Sequence, residues 1–362
     1  MADAEKYLEL YKKHKPKSWS DIIGQDKIVG SLRSAVKSNR IPVAYLFSGP
    51  RGTGKTSAAK VLAAAINCLD EKARKTGDAC GVCEVCVNIQ NDLQLGVQYI
   101  SMANKGGVHE VRKIVDQARL AQPVRRTVWI LDEVHNLSQA AWDSLLIPLE
   151  SSKMQALFIL CSTEAHKIPE PIMSRIQARR FALVKDYVLR EFLESVIAED
   201  ELEVDEEQID AAVRLGRGSV RDTLTELERI ISTGDLEISL GENLLVAIQN
   251  ADVISVLKTV GQYAATGDKM RYLAEDLYSD LRDLLLLRAR GGEELVASSP
   301  LEDTKTFKAK VPASQHLAML DAIGDAVTSM SVGAADHRII LETALLKCVQ
   351  RLKKASKAAE EG

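Results

Sequence analysis

The chain has 362 residues, of which 46% are hydrophobic, 27% charged and 4% aromatic, and its formal net charge is −4. Because ordinary domains contain roughly 100 to 150 residues, this length predicts two or three domains. No apolar run approaches the ~18 residues of a membrane span, and residues 1–15 lack the apolar segment of a signal peptide. The composition therefore argues against a membrane protein and predicts a cytoplasmic one. The mild negative charge leaves nucleic-acid binding open, since that depends on a local basic surface.

Short apolar runs alternate with longer helical patterns through the first half of the chain. The runs with strand-like composition are Ala44–Phe47, Gln98–Ser101, Thr127–Leu131 and Leu157–Cys161. Such alternation predicts an α/β domain, with a parallel sheet covered by helices.

From about Val184 onward the pattern is that of amphipathic helices, over 187–198, 207–215 and 219–231. A further helical stretch covers 251–290 and ends in four leucines, 284–287, which are too many for one face of a free helix and need a partner surface. Helical periodicity returns over 314–353. The second half is therefore predicted to be all-α, with a domain boundary near the Ser-Thr-Gly-Asp cluster at 232–235.

A glycine-rich loop, Gly49-Pro50-Arg51-Gly52-Thr53-Gly54-Lys55-Thr56, follows the first predicted strand and leads into a predicted helix over 57–66. This is the setting in which such spacing binds phosphate. Glycines let backbone N–H groups turn toward phosphate oxygens, and the helix N-terminus favours negative charge. Lys55 can neutralise the β and γ phosphates, and Thr56 can bind magnesium. The setting disfavours the alternative of a chance glycine-rich turn.

Two acids, Asp132 and Glu133, end the predicted strand that begins at Thr127. Beside a phosphate site, Asp132 would lie near the magnesium ion and Glu133 could polarise a water molecule. The alternative is that the pair only caps the following helix. The glycine-rich loop favours the catalytic interpretation.

Four of the six cysteines lie close together in sequence, and they are Cys68, Cys80, Cys83 and Cys86. In a cytosolic chain a disulfide framework is disfavoured, whereas closely spaced thiolates commonly hold zinc. An iron–sulfur cluster and a redox pair are the alternatives. Four thiolates would close a tetrahedral shell, so the predicted metal is structural. Cys161 and Cys348 lie in apolar runs and are predicted core residues.

Taken together, these motifs resemble those of the gamma/tau subunits of the bacterial DNA polymerase clamp loader. The segments that carry the resemblance are AYLFSGPRGTGKT, the four cysteines, LDEVHNLSQAAWDSLL, Ser174-Arg175-Ile176 and GSVRD, in that order. The similarity extends from Tyr7 to the helix around Arg338–Glu342.

The resemblance implies an AAA+ ATPase domain over 1–184 with a zinc-binding insert at 68–86. A helical lid over 185–237 and a helical collar over 238–362 would follow. The implied partners are copies of the chain and delta-type subunits in a pentameric ring, a sliding clamp, and primer-template DNA. The chain resembles the short, gamma-like form, and the resemblance leaves open whether a bacterium or a phage encodes it.

Site roles also follow from the resemblance. Glu133 would be the base, Thr163 the sensor of the γ-phosphate, Arg221 the lid arginine of the same subunit, and Arg175 a finger for the neighbouring subunit. Magnesium would be held by Thr56 and Asp132. The residues implied to bind ATP or ADP are Gly49, Gly52, Thr53, Gly54, Lys55, Thr56, Ser57, Asp132 and Arg221, with Tyr7 and Pro16 near the adenine.

Three positions depart from the family pattern. Lys15-Pro16 stands where the family has Arg-Pro, Ile176 stands where a cysteine follows the finger, and Ser101 stands where an aspartate precedes the DNA-facing helix. None removes a catalytic group, but Ser101 puts the local DNA contacts in doubt. The competing interpretations are a non-hydrolysing scaffold subunit and another AAA+ DNA remodeller such as a branch-migration motor. The intact set of catalytic residues disfavours the scaffold, and the cysteine insert disfavours the motor.

Overall fold

A computed structural model describes residues 9–93, 96–103, 107–120, 124–151, 156–234, 240–265, 270–289, 307, 310–332 and 336–360. The chain divides into two compact units, Met1–Gly234 and Asp235–Gly362. No helix within the described ranges has the length and apolar character that crossing a bilayer requires.

A sheet of five parallel strands lies at the centre of the first unit, in the order β2-β3-β4-β1-β5. Helices cover both of its faces, which is why β1 and β4 are buried along their whole length. In register, Ser48 lies beside Ser162 and Ser101 beside Asp132, so the carboxyl ends of these strands form one edge. The strands are β1 Ala44–Ser48, β2 Val97–Ser101, β3 Val128–Asp132, β4 Leu157–Ser162 and β5 Gln177–Arg180.

Among the described residues of this unit, eight α-helices precede or separate the strands. Helix α3 packs its alanine-rich surface against one face of the sheet, and α6 and α7 cover the other, giving two apolar cores. The helices are α1 Leu10–Lys13, α2 Asp26–Lys37, α3 Lys55–Asn67, α4 Glu71–Thr76, α5 Glu84–Gln90, α6 Val108–Ala118, α7 Gln139–Glu150 and α8 Glu170–Met173.

Three more helices complete the first unit: α9 Asp186–Asp200, α10 Glu206–Gly216 and α11 Val220–Thr233. Side-chain caps begin two of these helices. Asp205 and Gln208 form a capping box at the start of α10, and Ser219 accepts a hydrogen bond from the N–H of Asp222 at the start of α11. The short helix α1 packs against α11, which brings residues near the N-terminus to these helices.

The second unit is all-α among the described residues. Its helices bury a core of leucine, valine, isoleucine and methionine side chains. Leu284, the first of the four leucines that were expected to need a partner surface, is buried in this core. The buried His316 contacts the Leu281 carbonyl oxygen through Nε2 at 2.7 Å and accepts from Arg288 at Nδ1. The helices are α12 Leu240–Gln249, α13 Val253–Ala265, α14 Met270–Leu286, α15 Ala313–Val332 and α16 His337–Glu360.

The predicted α/β class of the first half and the helical second half are confirmed. Two details differ. The strand β5 was not predicted, because its sequence Gln-Ala-Arg-Arg is polar and its side chains lie at an exposed sheet edge. The helical stretch predicted over 251–290 is two helices, α13 and α14, and that over 314–353 is also two, α15 and α16. The predicted boundary at 237–238 lies outside the described residues.

Candidate nucleotide-binding site

The glycine-rich loop joins the end of β1 to the start of α3, and its glycines have conformations that other residues rarely adopt. Gly49, Gly52 and Gly54 have φ angles of 141°, 75° and 89°. A Cβ at Gly49 would lie 2.2 Å from the Phe181 carbonyl oxygen, and one at Gly52 would lie 1.8 Å from Ser219 Oγ. The loop therefore packs directly on the residue that caps α11.

Lys55, the first residue of α3, folds back over this loop. Its Nζ donates to the carbonyl oxygens of Gly49 at 2.8 Å and Pro50 at 2.5 Å, and its side chain is buried. Burial lowers the pKa of the ammonium group below its ordinary value, although Asp132 and Glu133 partly oppose this. A buried cation in a glycine-rich loop at the N-terminus of a helix is suited to polyphosphate.

Asp132, at the end of β3, lies beside the start of α3. Its Oδ2 accepts hydrogen bonds from Thr56 Oγ1 at 2.9 Å and from the Tyr99 hydroxyl at 3.1 Å, and its Oδ1 accepts from the Glu133 N–H at 2.9 Å. Burial and then the charge of Asp132 raise the pKa of the Tyr99 phenol above its ordinary value. The Thr56 hydroxyl and the Asp132 carboxylate are hard oxygen donors, so this pair fits magnesium.

Glu133 has a left-handed backbone conformation, with φ 55°, and begins a short 3-10 turn without capping it through its side chain. The capping alternative is therefore not realised. Glu133 Oε2 instead lies 3.2 Å from Nε2 of the nearly buried His135. The same nitrogen lies 3.5 Å from Glu164, and His135 Nδ1 lies 3.3 Å from Ser162 Oγ at the end of β4. His135 thus connects the predicted base to the strand that precedes Thr163.

A cavity of about 940 Å³ opens at this edge of the sheet. Besides the loop it is lined by Tyr11 and Pro16 near the N-terminus, by Thr163 after β4 and by Arg221 on α11. The Arg221 guanidinium lies 4.8 Å from the centre of the Tyr11 ring, a cation–π distance. The predicted site residues that line the cavity are Pro16, Gly52, Thr53, Gly54, Lys55, Thr56, Ser57, Asp132, Glu133, Thr163 and Arg221.

Three predicted residues do not line this cavity in the described part of the chain. Gly49 begins the loop and lies against Phe181. Tyr7 lies outside the described residues. Arg175 is exposed and turned toward α7, where its Nε donates to Glu150 Oε1 at 2.6 Å and its Nη1 to the Pro171 carbonyl oxygen at 2.5 Å. Arg175 is therefore held on the surface of its own chain and away from its own Lys55.

The four clustered cysteines meet between α3 and α5. Their Sγ atoms all lie within 4.8 Å of one another. Backbone N–H groups of Cys80 and Cys83 donate to the sulfurs of Cys68 and Cys80, each at 3.3 Å. Burial raises the pKa of the thiol of Cys68 and that of Cys86. At Cys83 burial also acts to raise the pKa, but hydrogen bonds with the backbone of Leu69 and Cys86 and with the thiols of Cys86 and Cys80 together bring the pKa to about 7. Several thiolates this close need a cation to be stable together.

Sequence reasoning missed three side chains of this site: Tyr11, Tyr99 and His135. Tyr99 and Ser101 are two residues apart on β2 and so share a face, and the strand ends beside Asp132. His135 follows Glu133 by two positions. Once the strands are assigned, these two spacings in the sequence indicate that Tyr99 and His135 lie near the acidic pair. No sequence signal connects Tyr11 with Arg221, because their contact is made between distant segments.

The parallel sheet order, the phosphate-binding loop between β1 and α3, and the acidic pair at the end of β3 define a P-loop nucleotide-binding protein of the AAA+ class. Known proteins agree with this class. A family model described as "DNA polymerase III, delta subunit" matches residues 24–185.

Individual proteins similar to this chain are also subunits of DNA polymerase III. The chain is 32% identical to the DNA polymerase III subunit tau of Bacillus subtilis over 364 residues, covering 95% of this chain and 63% of that protein. It is 30% identical to the gamma/tau subunit of Mycoplasma pneumoniae, over 87% of this chain and 48% of that protein. This chain is a homologue of the DNA polymerase III gamma/tau subunits.

The chain spans less than two thirds of the length of these two relatives. Among solved structures, a DNA polymerase III gamma subunit-related protein of Thermotoga maritima is 12% identical, with a TM-score of 0.46 over 89% of this chain and 99% of that one. At that level of similarity the match carries no argument about function.

Proposed function

We propose that this chain is an ATP-hydrolysing motor subunit of a DNA polymerase clamp loader. The observation that carries the proposal is the Thr56–Asp132 pair beside the buried Lys55, in a cavity that Arg221 of α11 also lines. Binding of ATP there would contact the sheet and the helical lid together, so that nucleotide state would set their relative arrangement. The domains are an ATPase domain over 1–184, a lid over 185–237 and a collar over 238–362.

Each polar group of the cavity has a role in this proposal. The loop N–H groups and Lys55 bind the phosphates, and Arg221 leaves Tyr11 to contact the nucleotide of its own subunit. Magnesium held by Thr56 and Asp132 would neutralise charge on the β and γ phosphates. Glu133 orients and deprotonates the attacking water, and Thr163 senses the γ-phosphate.

The proposed partners follow from homology. The gamma/tau relatives are named as subunits of DNA polymerase III. We infer a pentameric ring of copies of this chain with delta-type subunits, acting in the cytoplasm. ATP binding would let the ring open a sliding clamp and hold primer-template DNA, and hydrolysis would release both. The complete set of Lys55, Thr56, Asp132 and Glu133 supports a hydrolysing subunit over a scaffold.

Steady-state ATP hydrolysis tests this proposal. The rate is measured for the assembled complex alone, with a sliding clamp, with primed DNA, and with both together. We expect the clamp and primed DNA together to stimulate hydrolysis more than either does alone. Hydrolysis stimulated equally by branched DNA without a clamp would favour a remodelling motor instead, and absence of hydrolysis in every condition would favour a scaffold.

We also propose that the four cysteines hold a structural zinc ion. Four sulfurs about 2.3 Å from a tetrahedral zinc would lie about 3.8 Å from one another, so the observed cage needs little contraction. With four thiolates the shell is closed, and no position remains for a substrate. Helix α5, which carries Cys86, would be anchored by the metal.

Removing this metal should loosen residues 68–86, because structural zinc contributes an apparent ~10 kcal/mol to the folding of small sites. Hydrogen exchange after chelation should rise in that segment first and leave the loop at 49–57 protected. Cys161→Ser is the control, since it removes a buried cysteine outside the cluster and should leave the metal content unchanged. Elemental analysis that finds no zinc in the native protein would contradict the assignment.

A further inference from the structure

The carboxylate of Asp132 has a donor that the proposed roles do not explain. Thr56 and the Glu133 N–H belong to the phosphate loop and the acidic pair, but the Tyr99 hydroxyl, 3.1 Å from Oδ2, comes from the edge strand β2. Thr56 and Tyr99 donate to the same oxygen. Three donors therefore fix the plane of this carboxylate before any metal is bound.

The strand register explains why a tyrosine makes this contact. Ser101 lies directly beside Asp132, but its short side chain hydrogen-bonds within its own turn, where Oγ accepts from the Ala103 N–H at 3.4 Å. Tyr99 lies two residues before Ser101, on the same face of β2 and beside Ile130. Its longer side chain extends along the sheet to the carboxylate of Asp132. The hydroxyl is therefore the side-chain donor that β2 supplies to Asp132.

A lysine holds the tyrosine ring in place. Lys60 lies one turn beyond Thr56 on the same side of α3, and its Nζ is 5.6 Å from the centre of the Tyr99 ring. The same Nζ pairs with Asp92, just after α5, at 2.5 Å. Asp92, Lys60 and Tyr99 all line the cavity. Lys60 therefore contacts the face of the Tyr99 ring, while the Tyr99 hydroxyl contacts Asp132.

We propose that Tyr99 is a positioning residue that orients Asp132 for the magnesium–nucleotide complex. The inference rests on the proposed ATPase function. If Thr56 and Asp132 hold magnesium, the Thr56 hydroxyl would turn from Asp132 to the metal, and the hydrogen bond from Tyr99 would be the side-chain contact left to Asp132. Tyr99 then preserves the carboxylate orientation that the metal requires, so its hydroxyl should matter for magnesium and not for the phosphates themselves.

The test is equilibrium binding of a fluorescent ADP analogue to the full chain, first in EDTA and then during a magnesium titration. Tyr99→Phe removes the hydroxyl and keeps the ring over Lys60. We expect unchanged affinity in EDTA, and a roughly three- to tenfold higher magnesium concentration for half-maximal effect, the equivalent of one net hydrogen bond. Tyr187→Phe is the matched control, because Tyr187 also lies near a lysine, Lys185, but does not line the cavity.

Three results would overturn the inference. An unchanged magnesium requirement in Tyr99→Phe would show that the hydroxyl does not orient Asp132. An equal loss of affinity with and without magnesium would show a general structural role. If the wild-type chain itself bound the analogue without any dependence on magnesium, the proposed ATPase site would fail as well, and the two failures are therefore distinguishable.

Discussion

Replacing Glu133 with glutamine is expected to lower ATP turnover by a factor of about 10² to 10⁴, the usual contribution of a general base. Nucleotide affinity should stay near that of the wild type, because glutamine has the same shape and Glu133 is not among the groups proposed to hold the phosphates. The amide can still contact His135, so the fold around the turn should persist. Single-turnover hydrolysis and equilibrium nucleotide binding together measure the two effects.

Two contrasting variants make the result specific. Glu164→Gln removes a carboxylate that faces the same histidine and has the same side-chain exposure, 37%, and it should lower turnover far less. Lys55→Ala should weaken nucleotide binding itself, since the ammonium group is the buried cation of the loop. Equal hydrolysis by wild type and Glu133→Gln would exclude Glu133 as the base.

Replacing Arg175 with alanine is expected to lower hydrolysis in the assembled ring by about a thousandfold or more, the typical effect of an arginine finger. The structure gives this arginine a position suited to action on a neighbour. It is tethered to Glu150 and the Pro171 carbonyl on the surface, and it does not line the described cavity of its own chain. Its own nucleotide binding should therefore be unaffected.

Mixed rings separate action on a neighbour from action within one chain. Arg175→Ala subunits keep a working phosphate loop, and Lys55→Ala subunits keep a working finger. In rings that contain both variants, ATP hydrolysis should be restored at each interface where an intact Arg175 faces an intact Lys55. Glu150→Gln is the matched control, because it weakens the surface tether and retains the arginine. If mixing restores nothing, or if Arg175→Ala leaves DNA-stimulated hydrolysis unchanged, the assignment is wrong.

The sequence predicted the parts of the fold that depend on strong local patterns. Four of the five strands, the phosphate loop and the three helices between residues 186 and 233 lie within a few residues of the predicted ranges. Buried parallel strands are continuous apolar runs, and the loop has a spacing that few other structures share. Strand β5 was missed because an exposed edge strand of Gln-Ala-Arg-Arg has no apolar pattern.

The site was predictable where a residue's role follows from its own motif. Lys55, Thr56 and Asp132 meet as expected. The contacts of Tyr99 and His135 depend instead on which strands are neighbours, since β2 lies beside β3 and β3 beside β4. Register between strands is set by tertiary packing, so no local pattern specifies that the Tyr99 hydroxyl reaches Asp132. The surface position of Arg175, just after α8, is likewise set by its contact with Glu150 at the end of α7.

The cavity is lined by residues that are far apart in the chain, from Tyr11 to Leu224. A nascent chain on the ribosome therefore cannot form the complete cavity until synthesis has passed α11, even when the whole sheet has emerged. A ligand at a thousand times its Kd stabilises the state that binds it by about 4 kcal/mol. Bound nucleotide, as proposed, would therefore stabilise the finished first unit more than any shorter intermediate. A substitution that unfolds α11 should then also expose the distant sheet to proteolysis.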